Sequence, residues 1–144
     1  MKELLKLTKN GSKVPYLTFS LAENKTLMFN WNGFLDVENI IKSHEQSLDL
    51  IKKHNVTKLV EDVRKFSGPF SKANDWFIKT YAPAVVKMGV TKTAVILNDN
   101  VFTQLSVNDL KENPEFKAIG LLYKVFNSEE DANEWLHETS TQSV

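Results

Sequence analysis

Three charged residues stand where a strand should end: Glu61, Asp62 and Arg64, at the close of the run Lys58-Leu59-Val60-Glu61-Asp62-Val63. Two carboxylates beside a guanidinium could hold a polar ligand or begin an acid–base system. In open α/β sheets, ligands usually bind at the carboxyl-terminal edge of the strands. The trio has a plainer reading as well. Asp62 and Arg64 point to the same side of a strand, where they can pair and order the loop that follows. No histidine, serine or lysine is placed by spacing to complete a catalytic set. A small hydrolase or isomerase using Asp62 with Glu61 or Arg64 is therefore the alternative, and a non-enzymatic binding or regulatory domain is the main expectation.

The remaining reactive side chains are sparse. His44, His54 and His137 are the only histidines, and none has a His-x-x-x-His partner. His44 falls in the apolar stripe of a helix and reads as a packed, hydrogen-bonded core residue; His54 reads as a positive charge at a helix end. The chain has no cysteine, which excludes disulfides, thiolate zinc sites and cysteine nucleophiles. Its 5 glycines form no phosphate-cradling loop. No catalytic residue, metal site or cofactor is expected.

The loop Phe66-Ser67-Gly68-Pro69-Phe70 carries a different signal. Exposing both rings would forfeit roughly 1.5–3 kcal/mol apiece. They either close the core, or cap a cavity or contact surface shared with Trp76 and Phe77. The candidate binding residues are thus Asp62, Arg64, Phe66, Ser67, Phe70, Trp76, Phe77 and Tyr81, facing a protein partner or a small apolar ligand. Trp31, Phe116, Phe126 and Trp135 read as core.

The elements that must position these residues follow from periodicity. Residues 3–8, 15–22 and 25–32 read as an antiparallel meander, with turns at Asn10-Gly11 and Glu23-Asn24. A helix spans about 36–54, with Asp36 as N-cap and Val37, Ile40, Ile41, His44, Leu48 and Ile51 as its apolar stripe. A short strand at 58–63 leads into a loop over 64–70. Ser71 caps a second helix carrying Trp76, Phe77, Tyr81, Ala84, Val85 and Met88. Pro83 must kink or divide that helix, because it has no N–H for the carbonyl of Lys79, and Gly89 ends it. Residues 91–97 read as a strand buried on both faces. A helix over 101–112 should turn Phe102, Leu105 and Leu110 inward. A long strand over 119–126 and a helix capped by Ser128, with Ala132, Trp135 and Leu136 inward, complete the order. The expected fold is α/β: an N-terminal antiparallel meander, then βαβ units, giving a mixed sheet covered by about four helices.

Composition agrees with one domain over residues 1–144 with a polar tail at about 139–144. The 42% hydrophobic and 25% charged content is ordinary for a globular chain. No run approaches the roughly 18 apolar residues of a membrane span, and charges interrupt the first seven residues too often for a signal peptide, so a cytoplasmic location is expected. The net charge of +0 argues against a nucleic-acid partner. Residues 1–72 hold 12 basic and 8 acidic side chains, against 6 and 10 in the remainder. That asymmetry could orient a homodimer, or be a chance distribution of solvated charge.

Several segments, in this order, resemble a known family. They are Phe29-Asn30-Trp31-Asn32-Gly33 before the first helix, Lys58 to Arg64, Trp76, Lys92-Thr93-Ala94-Val95-Ile96, and Tyr123-Lys124-Val125-Phe126 running into Glu130 to Leu136. The succession is similar to the SpoIIAA-like proteins, small bacterial relatives of the STAS (sulfate transporter and anti-sigma-factor antagonist) domain that are also grouped with lipid-carrying CRAL-TRIO modules. The resemblance covers roughly residues 25–138. It implies a mixed sheet with helices, no enzymatic activity, and either partner switching or capture of an apolar ligand, a lipid carrier being one form of the latter. Anti-sigma-factor antagonists carry a phosphorylatable serine in an Asp-Ser-Ser-Gly-like turn. Residues 64–71 lack that run, although Ser67 and Ser71 are nearby, so the phosphoswitch is not transferred.

Overall fold

Three strands open the chain as an antiparallel meander: β1 (Lys2–Thr8), β2 (Pro15–Ala22) and β3 (Thr26–Phe34). The β2–β3 turn needs left-handed backbone at Asn24 and Lys25, with φ of 59° and 57°. Both are non-glycine residues, and asparagine is among the side chains that tolerate this region best. The computed structural model describes residues 1–138, so the expected polar tail lies outside the described residues.

From β3 onward the strands are parallel. β4 (Lys58–Ser67), β5 (Lys92–Ile96) and β6 (Leu122–Phe126) extend the sheet, and spatial order equals chain order, β1-β2-β3-β4-β5-β6. Crossovers that all proceed in one direction with one hand must deposit their helices on one face. That face carries α1 (Val37–His54), a composite helix over residues 71–88, α4 (Val101–Lys111) and the short α5 (Pro114–Ala118). It packs the larger core cluster, which includes Phe19, Phe29, Trp31, Val63 and Phe77. α6 (Glu129–Leu136) follows the last strand, is free of the crossover constraint, and covers the other face over Met28, Val60, Ala94 and Ile96. The expected mixed sheet is present.

The composite helix is interrupted. It begins as a tight 3-10 turn at Ser71–Ala73 and continues through α2 (Asn74–Trp76). It then widens into a single π-helical turn at Phe77–Tyr81 before α3 (Ala82–Met88), in which Pro83 occupies the first turn. Pro83 has no N–H to give, and just before it the ladder is widened, the Ala82 N–H reaching back five residues to the Phe77 carbonyl. Gly89 ends α3 at φ 108°.

Five local expectations are corrected. β4 runs to Ser67 instead of stopping at 63, because residues 65–67 pair with Asn32, Gly33 and Phe34 of β3. The Asp36 side chain makes no cap bond to the backbone; its Oδ1 accepts from the Asn39 side chain at 2.6 Å. Ser71 does not cap its helix but bonds Ser106 and Asp109 of α4. Met88, Phe102 and Leu105 are exposed, whereas Thr103, Ser106, Val107 and Leu110 form the inner face of α4. Residues 114–118 are helical, so β6 begins only at Leu122.

The rotation of α4 has a local cause. Thr103 Oγ1 donates to the Gly68 carbonyl (2.9 Å), and Ser106 Oγ accepts the Phe70 N–H (2.8 Å). The Asn98 side-chain amide donates to the carbonyls of Val63 and Phe66, both at 2.6 Å. Loop backbone under a helix needs partners, and the short hydroxyl side chains provide them.

Candidate functional site

The first three residues of a site come from alternation along β3 and β4. Phe29 and Trp31 face the helix-covered side, as do Leu59, Glu61 and Val63, whereas Met28 and Val60 face α6. Glu61 thereby projects a carboxylate into an apolar layer. Burying it is costly unless every lone pair finds a donor. Trp31 Nε1–H donates to Oε1 at 2.6 Å, and His44 Nε2 lies 2.6 Å from Oε2.

The proton positions around His44 follow from its partners. Nδ1 is 2.9 Å from the carbonyl oxygen of Ile40, one turn earlier on α1. A carbonyl can only accept, so Nδ1 carries hydrogen. One further proton must then lie in the short Nε2–Oε2 contact, whichever atom it sits closer to. The imidazole is packed on every side. It stacks on Trp31 at 5.4 Å and Phe29 at 5.3 Å, and meets the edges of Phe77 and Tyr81 at 4.7 and 5.0 Å. The π-helical turn carries both of those rings. Such single π turns recur at functional sites.

A second polar pair continues the line. Ser47 donates its hydroxyl proton to the His44 carbonyl, so the Tyr81 O–H must be the donor in the 2.7 Å bond to Ser47 Oγ. Burial, and then the charge of Glu61, push the Tyr81 phenol well above its ordinary value; the hydrogen bond with Ser47 opposes them. Tyr123 is pushed the same way by burial and then by Glu61. Both phenols are neutral hydroxyls at any ordinary pH.

Around this cluster lies a cavity of about 70 Å³. Glu61 and His44 reach it from the sheet and α1, Phe66 from the end of β4, Phe70 from the loop that follows, Phe77 and Tyr81 from the π turn, and Thr93 and Tyr123 from β5 and β6. Phe66 faces inward only because of a bulge. Asn30 pairs with Asp62 but Asn32 pairs with Lys65, so Val63 and Arg64 together oppose Trp31. The extra residue resets alternation, and Phe66 takes the inward position that unbroken period two would assign to Lys65.

No family model and no curated protein sequence matches the chain. Among solved structures, the anti-sigma factor antagonist SpoIIAA in its unphosphorylated form aligns with a TM-score of 0.58 at 14% identity. The alignment covers 83% of this chain and 95% of that one. The chain has a SpoIIAA-like, STAS-type fold. At that identity the likeness concerns the backbone arrangement, and the contents of the cavity belong to this chain.

The structure divides the residues singled out from sequence into three groups. Phe66, Phe70, Phe77 and Tyr81 line the cavity, and Trp76 stacks on Tyr81 at 5.6 Å from outside the lining. Asp62 and Arg64 lie away from it. Asp62 is buried on the face opposite Glu61, and Arg64 clasps it with Nη2–Oδ2 at 2.7 Å and Nε–Oδ1 at 3.0 Å. The trio is thus split across the sheet, and the two carboxylates cannot act on one substrate. Ser67 is exposed at the end of β4, on neither surface. Sequence reasoning placed Trp31 and His44 in the core without linking them to Glu61, and gave Thr93, Tyr123 and Ser47 no role. Only one signal was available: a histidine on the apolar stripe of α1 and a glutamate in a strand each demand a buried partner.

Among the described residues there is no group of His, Cys, Asp or Glu suited to a metal ion, and no helix long and apolar enough to cross a membrane.

Proposed function

We propose that this domain is a non-enzymatic binding module that takes a small, mainly apolar ligand in the cavity between β3–β6 and the composite helix. The observation that carries the reading is the cavity itself: aromatic walls drawn from β3, β4, the π turn, α5 and β6 around a polar cluster satisfied largely from within. Sites for small molecules are mostly apolar, with few fixed polar groups. A Glu–His pair alone does not make a catalyst, and this one is engaged by Trp31 and the Ile40 carbonyl. The SpoIIAA-like fold supports the same class, since the neighbour is by name an antagonist of another protein.

Size limits the ligand. An apolar cavity of roughly 150 Å³ takes up benzene or xenon, and this one measures about 70 Å³. A compact molecule suits it, with at most a ring once the π turn gives way slightly. A long acyl chain does not, so a lipid-carrier role has no support in this geometry. Xenon and benzene are the test probes, followed by amide and indole NMR. Shifts centred on the Trp31 indole N–H, Thr93, Val95 and Tyr123 are expected. Spectra unchanged at saturating probe would end the proposal.

A second reading, recognition of a protein partner, is favoured by α4, where Val101, Phe102 and Leu105 are each more than half exposed on one stretch. Phe102→Ser should leave stability within about 0.5 kcal/mol, as for a surface residue away from the core; a larger loss would show that the ring serves packing.

A further inference from the structure

One hydroxyl at the cavity is not satisfied by the protein. Thr93, on β5, is 4% exposed and lines the cavity, and its Oγ1 has no hydrogen-bond partner among the described residues. Tyr123 is its direct neighbour across the β5–β6 ladder and lines the same space. Its phenol is held protonated by burial and the charge of Glu61. Buried hydroxyls without partners are rare, and each calls for an explanation. Ser47 on α1 and Tyr81 on the π turn satisfy one another, whereas Thr93 Oγ1 is left without a partner among the described residues.

The chemistry needed is specific. The Thr93 hydroxyl has a proton to give, so what is missing is an acceptor atom. That acceptor must be uncharged. Glu61 and His44 already balance one another across their shared proton, and the lining holds no lysine or arginine, so a bound anion would find no free counter-charge and would carry an unrecovered desolvation cost. The aromatic walls define the rest of the molecule as apolar. We propose that the ligand carries one neutral acceptor oxygen, a hydroxyl or a carbonyl, on a compact hydrocarbon body, with that oxygen seated on the Thr93 hydroxyl beside Tyr123. The assignment rests on the small-ligand reading of the cavity and adds the class of ligand, small alcohols, phenols and ketones, while excluding carboxylates.

The experiment compares benzene, phenol and benzoate on the full chain and on Thr93→Val, which keeps the shape of the side chain and removes its oxygen. Binding is read from NMR shifts of cavity residues. On the unaltered protein, phenol should bind about tenfold more tightly than benzene, the ratio expected for one well-made hydrogen bond, and benzoate at least tenfold more weakly than phenol. In Thr93→Val the preference for phenol should shrink to about twofold, while benzene binds as well as before or better. Equal affinities for phenol and benzene on the unaltered chain would overturn the assignment, as when trapped water already serves the Thr93 hydroxyl. So would benzoate binding as tightly as phenol, or a phenol preference that survives Thr93→Val. These outcomes leave the cavity a binding site. If xenon and all three rings leave the spectra unchanged, the small-ligand reading fails, and the assignment with it.

Discussion

Replacing Thr93 with valine should make the protein more stable, an unusual expectation for a fully buried position on an inner strand. The two side chains have nearly the same shape, and both are β-branched, so rotamer entropy and strand preference cancel. What changes is one oxygen. In the native fold Thr93 Oγ1 has no partner among the described residues, whereas in the unfolded chain it is hydrated. Leaving a hydroxyl in that condition costs about 1–3 kcal/mol. The added methyl contributes up to roughly 0.8 kcal/mol, less where it faces empty cavity and not packed atoms. The net gain is about 2 kcal/mol. For a domain of this length, 1 kcal/mol moves the melting temperature by roughly 2–4 °C, which gives an increase of about 4–8 °C. Urea titration should show a higher midpoint with the slope unchanged.

Thr103→Val is the matching control. Thr103 is equally buried, but its hydroxyl donates to the Gly68 carbonyl. The same chemical change there orphans a loop carbonyl and should cost about 1–2 kcal/mol. Opposite signs at the two threonines would support the reasoning. A fall in the melting temperature of Thr93→Val would refute it, because it would mean that the hydroxyl has a partner, such as an ordered water, that the protein needs.

Glu61→Ala should destabilise by about 3–5 kcal/mol, since it leaves His44 and the Trp31 indole N–H buried without their acceptor; Glu61→Gln should lose less, and a chemical-denaturation midpoint for Glu61→Ala equal to the parent would contradict the network. Gly68 has a φ of +103°, and a Cβ there would sit 2.9 Å from Phe34 Cδ2; Gly68→Ala should therefore cost about 1–3 kcal/mol, measured by calorimetry. Raised phenol values at Tyr81 and Tyr123 mean that the native state keeps protons the unfolded chain releases. Their stabilisation is complete below pH ~10 and is lost progressively as pH rises above it. Unfolding free energy should thus fall between about pH 10 and 12, with a shallower fall in the Tyr81→Phe, Tyr123→Phe double variant; an unchanged slope would count against the burial of these hydroxyls.

The order and type of most elements were legible in the chain, because they depend on local chemistry. Period-two alternation over 15–22, the 3- and 4-residue spacing over 37–54, Gly89 at a helix end and Ser128 as an N-cap whose Oγ accepts the Asp131 N–H each act within a few residues. The site was legible only in part. Phe66 and Phe70 announced themselves as rings that a loop could not expose cheaply. Other assignments depended on partners far away in sequence. β4 reads as ending at 63 until residues 32–34 of β3 are beside it, and the bulge that turns Phe66 inward exists only in that pairing. Phe102 and Leu105 look like the inner face of α4 until the loop carbonyl at Gly68 and the N–H of Phe70 claim Thr103 and Ser106. Glu61 and Asp62 look like a pair until the pleat sends them to opposite faces, one to His44 and Trp31 and the other to Arg64. Periodicity sorts side chains relative to one another along a single element. Which face is buried, and which polar group meets which, is decided by satisfying hydrogen bonds between elements, and that accounting closes only in three dimensions.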